Sequence, residues 1–166
     1  DIFALEENIA WQVAVALRLR LSSDENQRLA VSGTKNPEAY RAFLLGQYHR
    51  SKWFGDLNKA ITTALDWWKQ AISEDPDYQE PYFRLAESYF FMGRNSPSED
   101  DYATARSYWE KLVEIDDSTV LGHESRARIL WSYEKKWGQA ENEYRKASEV
   151  DPSFQIPAAF LEWMGR

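Results

Sequence analysis

Cysteine is absent from the 166-residue chain. Disulfides, thiolate nucleophiles and cysteine-ligated zinc or iron are therefore excluded, and the choice between cytoplasm and periplasm is left open. Glycine is scarce, with seven residues and no phosphate-cradling loop among them, so nucleotide binding has no support. Histidine occurs only as His49 and His123, in no metal-ligand spacing. The acidic runs at 73–75, 99–101 and 116–117 lack the alternating oxygen ligands and central glycine of a calcium loop, and are expected to be solvated helix ends. No apolar run approaches the roughly 20 residues that a membrane helix needs, and Asp1 to Ala10 carry carboxylates where a signal peptide would be basic. Basic residues number 20 against 27 acidic, for a formal net charge of −7. That surface repels a nucleic acid backbone and an anionic membrane alike. No cofactor, metal or catalytic constellation is expected, and the chain is not expected to be an enzyme.

What is abundant is aromatic surface: 15% of the residues, eight of them Trp. That exceeds the need of a core this size, so some rings are expected to line a surface that binds something. The length suits one domain or a solenoid of a few repeats. The first residue is Asp, not Met, which suggests a piece of a longer protein, although processing also removes a start residue.

Three segments align with one another. They run from Ala64 through Trp68 and Ala71 to Asp75-Pro76, from Ala105 through Trp109 and Leu112 to Asp116-Asp117, and from Ala140 through Tyr144 and Ala147 to Asp151-Pro152. Each places a small residue, a ring and a small residue or Leu at i, i+4 and i+7, on one helical face, where Ala lets a neighbouring helix approach and the ring fills the space beside it. The leading alanines recur at intervals of 41 and 35 residues. Ala64, Ala105 and Ala140 should therefore be buried at equivalent helix contacts. Apolar periodicity and turn signals predict helices near 37–52, 56–74, 79–93, 99–115, 119–135 and 137–150, with a last one from about 153. Gly93 is read as a stop and Ser98 as an N-cap. Residues 1–35 carry a broad apolar stripe, including Ile2, Leu5, Ile9, Val13 and Leu17, and are expected to form a capping or connecting helical segment.

Tyr82-Phe83-Arg84-Leu85-Ala86-Glu87-Ser88-Tyr89 completes a unit whose pattern resembles the tetratricopeptide repeat. The match is weaker in the first unit, which has Leu45-Gly46 but Ala42 and His49 in the ring positions. It is weaker also in the third, which keeps Ala127 but has His123 and Leu130 there and Arg126 in place of Leu. The resemblance covers residues 36 to 166. It implies an all-α fold, a right-handed αα superhelix of about three hairpins (36–78, 79–118 and 119–152) with an N-terminal helix and a C-terminal helix at 153–166. It also implies a concave groove lined by the first helix of each hairpin, for which the candidates are Phe43, Gln47, Arg50, Phe83, Glu87, Phe90, Glu124, Arg128 and Trp131. The Lys and Asn set with which chaperone-binding members clamp a terminal carboxylate is absent at these positions. Asp1 to Ala10, paired with Asn36-Pro37-Glu38-Ala39-Tyr40, resembles the segment preceding the repeats in large bacterial regulators. That resemblance implies a non-catalytic protein-interaction or scaffold module in signal transduction, serving an effector domain of the same parent chain. The partner is then a protein or peptide segment, with no nucleic acid and no membrane insertion. The alternative is a structural element whose end helices stack on further repeats or on a second copy of the chain.

Overall fold

In the computed structural model, residues 33–51, 57–95 and 99–165 are described. The chain divides between Lys35 and Asn36 into two units, and the elements below belong to the second, 36–166. The expected capping helix before residue 33 and the expected Ser98 N-cap lie outside the described residues. Seven helices and no strand are present among the described residues: α1 Pro37–Ser51, α2 Leu57–Glu74, α3 Gln79–Asn95, α4 Glu99–Ile115, α5 Val120–Ser132, α6 Trp137–Val150 and α7 Ala158–Trp163. The described residues thus form an all-helical fold, as expected. The helices pack chiefly in consecutive pairs, α1 with α2, α3 with α4 and α5 with α6, while α2 also meets α3 and α4 meets α5.

The aligned positions explain this pairing. Ala64, Ala105 and Ala140 have no exposed surface, and neither do Ala71, Leu112 and Ala147 three positions beyond the rings. The rings between them, Trp68, Trp109 and Tyr144, are buried to within 1% of completely. Small residues on the first helix of a pair make room for them: Ala39, Ala42 and Gly46 are the buried residues of α1. A Cβ on Gly46 would collide with the Trp68 indole. Gly46 thus gives the Trp68 ring the room it needs against α1.

The turns after α2, α4 and α6 repeat one another in detail. The carboxylates of Asp75, Asp116 and Asp151 each accept from the backbone N–H two residues on, at 3.2, 2.9 and 2.8 Å. This is the local bond that makes Asp a turn former. Asn36 and Gln79, each at the threshold of a first helix, donate back to the closing carbonyls of the second helix, to Glu74 at 2.7 Å and Asp116 at 2.8 Å. These bonds satisfy acceptors that a helix end leaves open.

Three boundaries differ from the sequence expectation. The fifth helix, α5, expected to run to about 135, ends at Ser132, and Lys135 takes the left-handed φ of 57°. Gly93 does not stop α3, which continues to Asn95. Gly93 instead lies under the Tyr102 ring, whose carbons would stand 3.2 to 3.3 Å from an added Cβ, so its smallness serves packing between α3 and α4. The last helix begins at Ala158 and not near 153. Pro157 holds its own backbone extended (ψ 127°) and drives Ile156, the residue before it, away from the helical region, so a helix begun near 153 could not run on into α7.

Candidate functional site

Eight of the nine residues expected to line one groove fall in three places, and the ninth, Arg128, lies behind the first of them. Phe83 and Glu87 on α3 and Glu124 on α5 meet in one groove, completed by Glu80, Arg84, Leu121 and the Phe154–Gln155 stretch before α7. Its enclosed volume is about 320 Å³. Phe90 and Trp131, one on each of the same two helices, line a separate cleft. Phe43, Gln47 and Arg50 stand on α1, half-buried; the Phe43 ring meets Tyr78 edge-on at 5.4 Å and packs on the core around Trp68.

The groove is held by charge pairs among its own residues. Arg128 donates to Glu124 at 2.8 Å and to Glu87 at 3.1 Å, and Arg84 reaches Glu87 at 3.2 Å. The Arg128 guanidinium also lies over the rings of Phe83 and Trp109, at 5.5 and 5.8 Å. Cation–ring attraction of this kind strengthens where water is excluded. Arg128 was expected to line the groove. It is instead neutralised internally, because Glu124 is almost fully buried and requires a cation beside it. Phe83 is likewise 6% exposed, part of the core formed with Tyr82, Ala86, Ala105 and Trp109, so only its edge reaches the groove.

Burial raises the Glu124 carboxyl above its ordinary range, and Arg128 pulls the other way without cancelling that rise. Burial raises Glu80 as well. Beside the groove, burial pushes the Tyr144 hydroxyl upward. The groove lining thus carries three carboxylates (Glu80, Glu87 and Glu124) against Arg84, with Arg128 behind them. Phe83, Leu121 and Phe154 give it an apolar floor.

The second place holds the aromatic excess seen in the composition. Phe90 meets Tyr102 edge-on at 5.4 Å, and Tyr133 closes over both Phe90 and Trp109. The Tyr133 hydroxyl donates to the Tyr102 carbonyl at 2.9 Å, and burial pushes its pKa up to about 12. Trp131 packs on Phe160 of α7, while Trp137 and Trp163 stand at the opening. Sequence reasoning missed Trp137 and Trp163 as site residues, since neither lies on a first helix; the surplus of Trp was the available signal.

A third depression, between α4, α5 and α6, is lined largely by polar side chains such as Glu114, Arg126, Gln139 and Asn142. His123 bonds Glu143 through Nδ1 at 2.8 Å and acts as a satisfied packing residue. Among the described residues no cluster of His, Cys, Asp and Glu has the geometry to hold a metal ion. No described helix is long and apolar enough to cross a membrane. Comparison with protein-family models and with curated proteins gives no match.

Proposed function

We propose that residues 36–166 form a tetratricopeptide-like right-handed superhelix of three hairpins that acts as a non-catalytic, peptide-binding interaction module. The parent, on the resemblance of residues 1–10 and 36–40 to the approach to such repeats, is a bacterial signalling or regulatory protein. The observation that carries this reading is the convergence of Phe83 and Glu87 of α3 with Glu124 of α5, first helices of successive hairpins, on one groove. The equivalent burial of Ala64, Ala105 and Ala140 supports the repeat itself. A groove with an apolar floor and charged walls suits a side-chain-bearing peptide: rings and aliphatic carbons supply affinity, and fixed charges set register. Its self-contained ion pairs keep those walls in place before a ligand arrives.

Selection of a displayed random-peptide library on the full immobilised chain tests this. Enriched peptides should lose affinity about tenfold or more on Glu80→Lys, which reverses a groove charge, and on Phe154→Ala, which removes part of the floor. Peptides indifferent to both substitutions, in variants with wild-type helicity, would reject the groove as the site.

A further inference from the structure

The cleft at the far end of α3 and α5 is independent of that groove. Six rings form it: Phe90, Tyr102, Trp131, Tyr133, Trp137 and Trp163, drawn from α3, α4, α5, the turn after it and the ends of α6 and α7. Trp137 and Trp163 are 42% and 47% exposed, with ring centroids 4.6 Å apart and planes inclined at 50°, so they pack on each other and present a joint aromatic surface. The enclosed volume, about 600 Å³, suits several residues of a peptide. Exposed Trp pairs of this kind are what binding interfaces use as anchors.

The polar atoms of the lining are one-sided. Indole N–H groups and an ammonium can only donate, and the cleft has three Trp and Lys135. Three hydroxyls, of Ser132, Tyr102 and Tyr133, are the side-chain oxygens of the lining, that of Tyr133 already donating to the Tyr102 carbonyl, and no carboxylate and no amide side chain lines it. Lys135 sits in the left-handed region, φ 57°, where its ammonium donates to the Ser132 carbonyl at 2.6 Å. Among the described residues it forms no ion pair, whereas the neighbouring Lys136 is paired with Glu134 at 2.7 Å.

A ligand with many N–H or O–H donors would find few side-chain acceptors in such a lining, and each donor left unmatched is costly. This disfavours sugars and ordinary extended strands. A cationic ligand would meet Lys135 with no carboxylate to hold it. A proline-rich segment meets each condition: proline has a carbonyl and no N–H, its flat ring packs on aromatic faces, and its extended helix is formed before binding. We infer that this cleft binds an extended, proline-rich peptide segment with an acidic residue placed against Lys135.

Isothermal titration of the full chain with a short, end-blocked peptide of prolines interrupted by two aspartates tests this. Saturable binding is expected, weakened about tenfold or more by Trp137→Ala and by Trp163→Ala, the loss of one anchor each. Lys135→Gly, which suits the left-handed backbone and removes the charge, should weaken the aspartate peptide about threefold and leave an all-proline peptide unchanged. The wild-type titration decides whatever the variants do: no binding overturns the inference, as does equal binding of a peptide with alanine in place of proline, or preference for lysine in place of aspartate. Sedimentation showing a dimer that Trp137→Ala dissolves would assign the cleft to a second copy of the chain, and would overturn it too.

Discussion

The groove and the cleft are built on the same two helices and are opposite in character. Phe83 and Phe90 lie seven residues apart on α3, as do Glu124 and Trp131 on α5, so each pair shares a face about 10 Å apart along its helix. At the N-terminal end of that shared stripe the side chains satisfy one another: Arg128 is locked between Glu87 and Glu124 and covered by Phe83. At the C-terminal end Trp137 and Trp163 keep ring surface exposed, and Lys135 carries a charge that forms no ion pair among the described residues. Position on a helix face therefore sets where a side chain points, while its neighbours from other elements set whether anything is left for a ligand.

The largest expected effect breaks the groove's self-sufficiency. Arg128→Met leaves Glu124 buried without its cation, and breaking such a pair costs about 3–5 kcal/mol. Urea unfolding should show that loss, and Arg128→Met combined with Glu124→Leu should recover part of it, since the stranded charge is gone. A loss below about 1 kcal/mol would mean that the groove's charges are as free as Lys135, and the contrast between the two ends would disappear.

A smaller effect tests what joins the ends. Ala105 has no exposed surface and lies in the core whose members include Phe83 at the groove and Trp109 beneath Phe90 and Tyr133 at the cleft. Ala105→Leu inserts three carbons there and should cost about 1–3 kcal/mol by overpacking. Thermal unfolding measures it, and unchanged stability would count against the equivalence of Ala105 with Ala64 and Ala140.

The helices and their pairing were legible because they rest on local signals: the alanine, ring and small-residue spacing, and the Asp turns that recur at 75, 116 and 151. The start of α7 was misjudged because Pro152 was weighed and Pro157 was not, and the second proline is the one adjoining the helix. Gly93 was misread because a glycine that makes room for a ring looks, in sequence, like one that ends a helix. The site was half legible. Counting along the first helices named Phe83, Glu87 and Glu124, which share one groove, and Phe90 and Trp131, which line another cleft, but periodicity carries no information on ion pairing 41 residues away, such as that of Arg128 with Glu87. Nor does it bring together Trp137 and Trp163, which meet only because α7 folds back on α6.

The finest test of the comparison is pH. Burial raises the Glu124 carboxyl in the folded state even with Arg128 beside it, so the folded chain binds this proton at higher pH than the unfolded chain, whose carboxyl titrates near 4.5. The stability linked to this group is therefore complete below about 4.5 and is lost as pH rises through the folded value. Glu143 behaves in the opposite sense. Burial alone would raise it, but bonds from Lys146 and His123 hold it low, and its contribution is lost only as pH falls through its folded value, below that range. Glu124→Gln should remove the first effect and keep the second. Measured by urea unfolding at pH 7 and again at pH 5, the stability of the wild type relative to Glu124→Gln should shift in favour of the wild type at the lower pH. A difference that stays flat or reverses would mean that Arg128 outweighs burial at Glu124, and that the groove holds its charge as firmly as an exposed surface does.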